Sequence, residues 1–356
     1  MKKISSIIAL FVIAQMQGQQ VKSYANEFLH IGVDAAAMSM ANSVVGHTDN
    51  VYSTYWNPAG LTQLDDKQAG LMHASYFANI AQYDYATFAM PLTYKTALGF
   101  SLMRFGVDDI LNTTQLIDQN GNVDYSRISK FSTADYAFTV SFAKQTQIEG
   151  LTLGGNAKIL RRIIGSFADA WGYGLDFGVQ YQSKSNWKLG AMLRDATTTE
   201  TVWSFNQSEI DKIKDAIDGH NQTMPDKNER SLPVLQLGAA KSFAINNKIN
   251  VLASGQLNTQ FFQTNGIISG KGYSIQPAVG FQADYNDMVF LRGGLGNFQN
   301  EMQIDGKEKM TFQPNIGLGF KYKGIAVDYA LTDIGNQSAA LYSNIFSIRV
   351  DFLTFR

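Results

Sequence analysis

A period of two runs through most of this chain. Tyr136, Phe138, Val140 and Phe142 alternate with Asp135, Ala137, Thr139 and Ser141. Tyr173, Leu175, Phe177, Val179 and Tyr181 alternate with Gly172, Gly174, Asp176, Gly178 and Gln180. Ile316, Leu318, Phe320 and Tyr322 alternate with Asn315, Gly317, Gly319 and Lys321. Successive side chains of a strand point to opposite faces, so each segment has one apolar face and one small or polar face. The apolar sets often begin or end on Tyr or Phe. Aliphatic residues at mid-bilayer with aromatics at the headgroups are the pattern of an outer-membrane strand.

Fourteen such segments are expected, near 67–78, 82–91, 94–106, 133–145, 150–162, 169–182, 187–195, 232–243, 248–260, 272–284, 288–296, 311–322, 325–333 and 345–355. An even number suits a closed single-chain barrel. Closure is required because an open edge would leave backbone groups without partners in hydrocarbon. The connections obey the same parity. Short links follow even-numbered segments, at 92–93, 146–149, 183–186, 244–247, 285–287 and 323–324. Long links follow odd-numbered ones, at 107–132, 196–231, 261–271, 297–310 and 334–344. Short periplasmic turns and longer outer loops are the habit of outer-membrane barrels. The predicted fold is therefore all-β, a 14-stranded antiparallel transmembrane β-barrel over residues 67–356. Inside the loop 196–231, residues 207–218 carry a helical pattern, with Ile210, Ile213 and Ile217 on one face and Ser208 as the cap.

Composition fits that reading. Charged residues make up 17% of the chain, below the roughly 25% of ordinary soluble domains. No window approaches 18 uninterrupted apolar residues, which excludes a helical membrane protein. A net charge of −1 gives no case for a nucleic-acid partner. Met1-Lys2-Lys3, an apolar stretch over 4–14 and polar residues over 15–20 read as a secretory signal peptide spanning 1–20. The chain has no cysteine, so a lipoprotein anchor and disulfides are excluded. Export without cysteine fits a bacterial envelope protein, and the strands place it in the outer membrane.

Residues 21–66 do not alternate. The stretch 28–61 is rich in Ala, Met and Gly, as a compact helical or irregular plug would be. Gly32, Gly46 and Pro58 argue against one continuous helix, so the block is expected inside the barrel, where irregular backbone is tolerated. Gly32, Asp34, Met38, Met40 and Asp49 are its expected body. It ends on Tyr55-Trp56-Asn57-Pro58-Ala59-Gly60. Pro58 fixes its own φ and pushes Asn57 toward an extended conformation. Asn57 can bond its neighbouring backbone, and Gly60 permits an unusual dihedral. Tyr55 and Trp56 are expected to wedge the turn against the inner wall. The motif reads either as part of a gate or as a purely structural turn.

The same block carries a resemblance. A Gly-x-x-Ala-Ala-Ala-Met-x-Met-Ala run from Gly32 to Ala41, then Thr48-Asp49-Asn50, then Trp56-Asn57-Pro58-Ala59-Gly60-Leu61, resembles the FadL-type outer-membrane family. That family has fourteen strands and an N-terminal hatch. Within it, the chain looks most like the PorV/PorQ branch of the type IX secretion (Por) system of Bacteroidetes. Family plugs usually carry Arg where this chain has Ala36, and Met-Gly where it has Met40-Ala41. The branch implies a component of type IX protein secretion, with a large translocon barrel or secreted proteins bearing C-terminal sorting domains as partners. The loops 107–132 and 196–231 would carry those contacts. The family at large implies the alternative, a transporter of long-chain fatty acids or other hydrophobic small molecules. That transporter would hold its ligand in the lumen and use the hatch and a lateral wall opening.

No residue pattern points to an enzyme or a cofactor. The four histidines lack metal spacing, and no Ser-His pair has an orienting group. Arg161 and Arg162 read either as a lipopolysaccharide-phosphate contact at the outer rim or as a snorkelling pair.

Overall fold

The computed structural model describes residues 25–76, 79–117, 121–216, 226–302, 306–332 and 342–355. The expected signal peptide, the first residues of the plug and Ile217 lie outside them. The described residues form seventeen strands: β1 Gln68–Tyr76, β2 Ala81–Thr93, β3 Thr96–Asn112, β4 Ser129–Gln145, β5 Leu151–Ile164, β6 Ala168–Gln182, β7 Trp187–Arg194, β8 Thr199–Phe205, β9 Asn228–Ser231, β10 Val234–Ala244, β11 Ile249–Gln260, β12 Ile268–Gly270, β13 Tyr273–Tyr285, β14 Val289–Met302, β15 Glu308–Tyr322, β16 Ile325–Thr332 and β17 Ser343–Asp351.

Fourteen of these form a closed antiparallel ring. Strands β1 to β7 pair in succession, β7 pairs with β10, and the ring continues through β11, β13, β14, β15, β16 and β17. It closes where β17 meets β1, with Gln68 opposite Asp351 and Ser75 opposite Asn344. Short β8, β9 and β12 lie within the long links. Closure leaves no free edge, which is what a bilayer demands of a sheet.

The alternation sorts as the pattern requires. On β4, Phe138, Val140 and Phe142 are exposed on the outer surface while Ala137, Ser141 and Ala143 are buried. On β6, Trp171, Tyr173, Leu175 and Phe177 face out. Among the described residues, no helix is long and apolar enough to cross a membrane.

Several boundaries differ from expectation. β3 runs to Asn112 and β4 starts at Ser129, so this hairpin extends beyond the predicted loop ends. The last strand stops at Asp351, and Phe352–Phe355 form a 3-10 turn whose first N–H donates to the Lys67 carbonyl. The helix in the longest loop is Gln207–Ala216, and the N–H groups of Glu209 and Ile210 bond the Asn206 carbonyl. Asn206 rather than Ser208 therefore takes the cap position.

Residues 25–64 fill the lumen. They form a 3-10 turn Glu27–His30, helix α1 Ala35–Ser39, helix α2 Ser53–Trp56 and a 3-10 turn Pro58–Gln63. The main apolar core joins this hatch to the inner wall: Val33, Val45, Val51, Tyr52 and Leu61 pack with Ala74, Tyr83, Ala89 and Met192. The small lumenal residues of the wall are what let it dock. A Cβ on Gly154 would meet the backbone of Pro58 and Ala59, one on Gly178 the Asn57 side chain, and one on Gly294 the backbone of Met40 and Ala41.

Candidate functional site

Asn57 is the residue around which the hatch is assembled. Its φ of −164° and ψ of 103° are extended, as a residue before proline requires. The side chain is fully buried. Its oxygen accepts from the Ala59 N–H at 3.2 Å, opening the Pro58–Gln63 turn. Its nitrogen donates to Val45 of the hatch at 3.0 Å, to Val179 of β6 at 3.0 Å and, more weakly, to Ala191 of β7 at 3.4 Å. One side chain thus ties two hatch segments to two adjacent wall strands.

The flanking residues have distinct roles. Trp56 donates its indole N–H to the Val33 carbonyl at 3.0 Å, and Tyr55 donates to Leu29 at 2.8 Å. Both rings therefore bind the hatch to itself, and they meet edge to face at 4.7 Å. Tyr55 also meets the wall: its ring lies edge to face with Tyr85 of β2 at 6.2 Å, and the Arg194 guanidinium of β7 lies 4.2 Å from it and donates to the Tyr55 carbonyl at 2.9 Å. Gly60 is not in the left-handed region. It is needed for close approach, since a Cβ there would strike the Thr48 carbonyl.

Within the hatch body, Gly32 has φ +112°, a region that favours glycine. Asp34 caps α1, accepting from Ala36 at 3.3 Å, and accepts from Ser347 of β17 at 2.9 Å. Burial, then the nearby Asp328 carboxylate, push the Asp34 carboxyl above its ordinary range. Met38 and Met40 are buried. Asp49 is half-exposed and pairs with Lys188 at 3.3 Å.

The wall beside the hatch is interrupted where β7 gives way to β8. Phe177 faces Leu193, so Tyr173 would face Thr197 in an unbroken ladder. It faces Glu200 instead, so three residues are extruded between β7 and β8. On the other side, pairing stops at Arg194 opposite Val234 and resumes at Thr199 opposite Ser231. Pro233 lies in that interval and has no N–H to give the ladder. Asp195 and Thr198 both take positive φ there.

A buried charge cluster lies behind the break. Lys158 of β5 pairs with Asp176 at 2.7 Å and Asp195 at 2.6 Å, and the Asp195 N–H donates to Asp176 at 2.8 Å. His30 of the hatch approaches Asp195 at 3.5 Å. Burial, partly opposed by Asp195, pushes the His30 imidazole below its ordinary value and keeps it neutral at pH 7. Two cations, Lys158 and Arg194, are therefore balanced by two carboxylates. None of Lys158, Asp176, Arg194 or Asp195 stood out in the sequence. A charge on the small-residue face of a strand was the available signal.

The hatch divides the lumen. Above it, toward the long loops, is a cavity of about 320 Å³ whose floor includes Met38, Asn42, Tyr55 and Trp56. Below it, at the short turns, is a cavity of about 510 Å³ bounded by Leu61, Gln63, Pro91 and Gln145.

Arg161 and Arg162 part company on β5. Arg161 lies on the outer surface with its guanidinium 4.9 Å from the Trp171 ring, paired to Asp169. Arg162 points into the lumen and pairs with Asp135 at 2.8 Å and Glu229 at 3.0 Å. Only the first has a lipid-facing position.

A closed fourteen-stranded barrel with an apolar exterior and its own leading segment folded inside defines a bacterial outer-membrane protein. Its fold is that of the FadL-like hatch barrels. The Pseudomonas putida toluene transporter TodX superposes with a TM-score of 0.57 at 14% identity, covering 90% of this chain and 99% of that one. The Ralstonia pickettii toluene transporter TbuX gives 0.51 at 12% identity, covering 90% and 98%. A Pseudomonas aeruginosa FadL homologue gives 0.51 at 11% identity, with the same coverage. At such identities the likeness is one of fold. No family model and no curated protein sequence matches the chain, so the expected PorV/PorQ branch, its translocon and its sorting-domain cargo gain no support from these comparisons.

Proposed function

We propose that the protein is a hatch-gated channel that admits small molecules across the outer membrane, as the FadL-type alternative implies. The observation that carries this reading is the divided lumen. Two compartments, one at each end of the barrel, are separated only by a non-covalently held hatch. A protein that merely scaffolds others in the membrane gains nothing from such compartments. The interrupted ladder where β7 gives way to β8 is where a second route, from the lumen sideways through the wall, would open. Its charges are balanced within the barrel, so moving the hatch alters contacts to Arg194 and His30 without exposing a net charge. The resemblance to the fatty-acid and hydrocarbon transporters supports small molecules as the passengers. No catalytic role is assigned to any residue.

The test is flux. Proteoliposomes containing the full-length chain are expected to take up members of a radiolabelled panel spanning hydrocarbons, fatty acids and neutral polar solutes faster than barrel-free vesicles. Absence of flux for every solute, with stoichiometric co-isolation of a larger barrel from native membranes, would overturn the channel in favour of the secretion reading.

A further inference from the structure

The outer cavity has an unusual lining for a barrel whose structural neighbours carry hydrocarbons. One side of its wall carries carboxamides, Gln236 on β10, Asn258 and Gln260 on β11, Gln276 on β13, and Gln313 and Asn315 on β15, beside Tyr76, Val234, Pro277 and Ala278. The carboxamides come from four strands, so no single stretch of sequence displays the set. Among the described residues, no Asp, Glu or Lys lines the cavity. Its one guanidinium, Arg194, is balanced by the cluster below and is committed to Gln236 at 2.7 Å and to Tyr55.

The carboxamides are oriented. Gln236 accepts from Arg194 and donates to Asn258 at 2.9 Å, and Gln256 donates to the same Asn258 oxygen at 2.8 Å. That commits the Asn258 oxygen to its neighbours and leaves its amide N–H groups as donors without a protein acceptor recorded among the described residues. Three polar atoms of residues that line the cavity are buried without a hydrogen-bond partner among the described residues: Asn42 Oδ1, Gln260 Oε1 and Thr332 Oγ1. Buried polar atoms are normally satisfied, and each that is not asks for an occupant.

We infer that this vestibule is a binding site for an uncharged, hydroxyl-rich small molecule, of the class of short oligosaccharides and polyols. The inference deepens the channel reading and rests on it. Three alternatives fail on the chemistry of the lining. A hydrocarbon would bury the carboxamides without hydrogen bonds, which costs roughly 1–3 kcal/mol per polar group. Among the described lining residues a cation finds no carboxylate, and an anion finds no uncompensated positive charge. A hydroxyl both donates and accepts, which is what free amide N–H groups and orphaned carbonyl oxygens together require. The volume of about 320 Å³ lies at the small end of ligand pockets, which suits a mono- or disaccharide rather than a longer chain.

The experiment uses the full-length protein in lauryldimethylamine oxide micelles, a detergent without a sugar headgroup. Maltose, N,N′-diacetylchitobiose and glycerol are titrated by calorimetry and saturation-transfer NMR, with toluene and decanoate as competitors. At least one neutral hydroxylated probe is expected to bind and to resist displacement by toluene or decanoate. The double variant Gln260→Leu with Thr332→Val should weaken that binding by about tenfold, the effect of removing partners worth roughly 1.4 kcal/mol, while retaining the heat-modifiable gel mobility of a folded barrel. If the variant does not fold, the wild-type competition decides. Occupation of the vestibule by toluene or decanoate, or no binding by any hydroxylated probe, overturns the inference. The flux assay keeps the two claims apart: solute uptake without saccharide binding removes this site and leaves the channel, whereas saccharide binding without uptake leaves the site and removes the channel.

Discussion

At the scale of single residues, the hatch depends on side chains that serve several segments at once. Asn57 is the extreme case, with contacts to Val45, Ala59, Val179 and Ala191. Replacing it with Leu should loosen the hatch by about 1–3 kcal/mol, because a buried hydrogen-bonding group is lost and its partners are stranded. Limited proteolysis is the check: cleavage between residues 25 and 64 should appear in the variant under conditions where the native protein is intact. Gly154→Val acts on the same seat from the other side. Its side chain would collide with Pro58 and Ala59, and overpacking of this kind costs about 1–3 kcal/mol. Hatch protection should fall in that variant, while barrel assembly, read as heat-modifiable mobility, is retained. The sequence disclosed the extended conformation of Asn57, because proline acts on its immediate neighbour. It did not disclose the distant partners of Asn57, nor that Gly60 serves proximity rather than φ. Both depend on what lies across the lumen.

At the scale of elements, strands were legible wherever lipid touches them, and less so elsewhere. The bilayer forces an apolar side chain at every second position, so Phe138, Val140 and Phe142 announce β4. Above the membrane nothing enforces the alternation, so the extension of β3 through Asn112, and β8 and β9, carry no strand pattern in the sequence. The break between β7 and β8 was hidden for the same reason, since a polar run of Asp and Thr looks like a strand ending. Its stability comes from the charge cluster. Lys158→Met would leave Asp176 and Asp195 buried without their cation, and breaking such a buried pair by removing one partner costs roughly 3–5 kcal/mol. The urea midpoint for unfolding from bilayers should drop in Lys158→Met. It should largely recover when Asp176→Asn and Asp195→Asn are added, because the uncompensated charges are then gone. A drop that the added substitutions deepen would show that the carboxylates act otherwise than as partners of Lys158.

At the scale of the whole molecule, two environments shape the barrel, lipid outside and hatch inside. The outer face is tested by placing a charge in the lipid belt. Phe138 is exposed on the outer surface near the middle of β4, and Arg at the bilayer midplane of a barrel costs about 2–4 kcal/mol. Phe138→Arg should therefore fold into vesicles with reduced stability, whereas Phe138→Leu should be near neutral. The inner face bears the central claim, that the barrel is shut by its own leading segment and by nothing else. Planar-bilayer conductance measures this most directly, comparing the full-length protein with a variant whose residues 25–64 are replaced by a short flexible linker. The account predicts electrical silence from the full-length protein and steady, long-lived pores from the hatchless barrel. A full-length protein that conducts continuously, or a correctly folded hatchless barrel that stays silent, would contradict it.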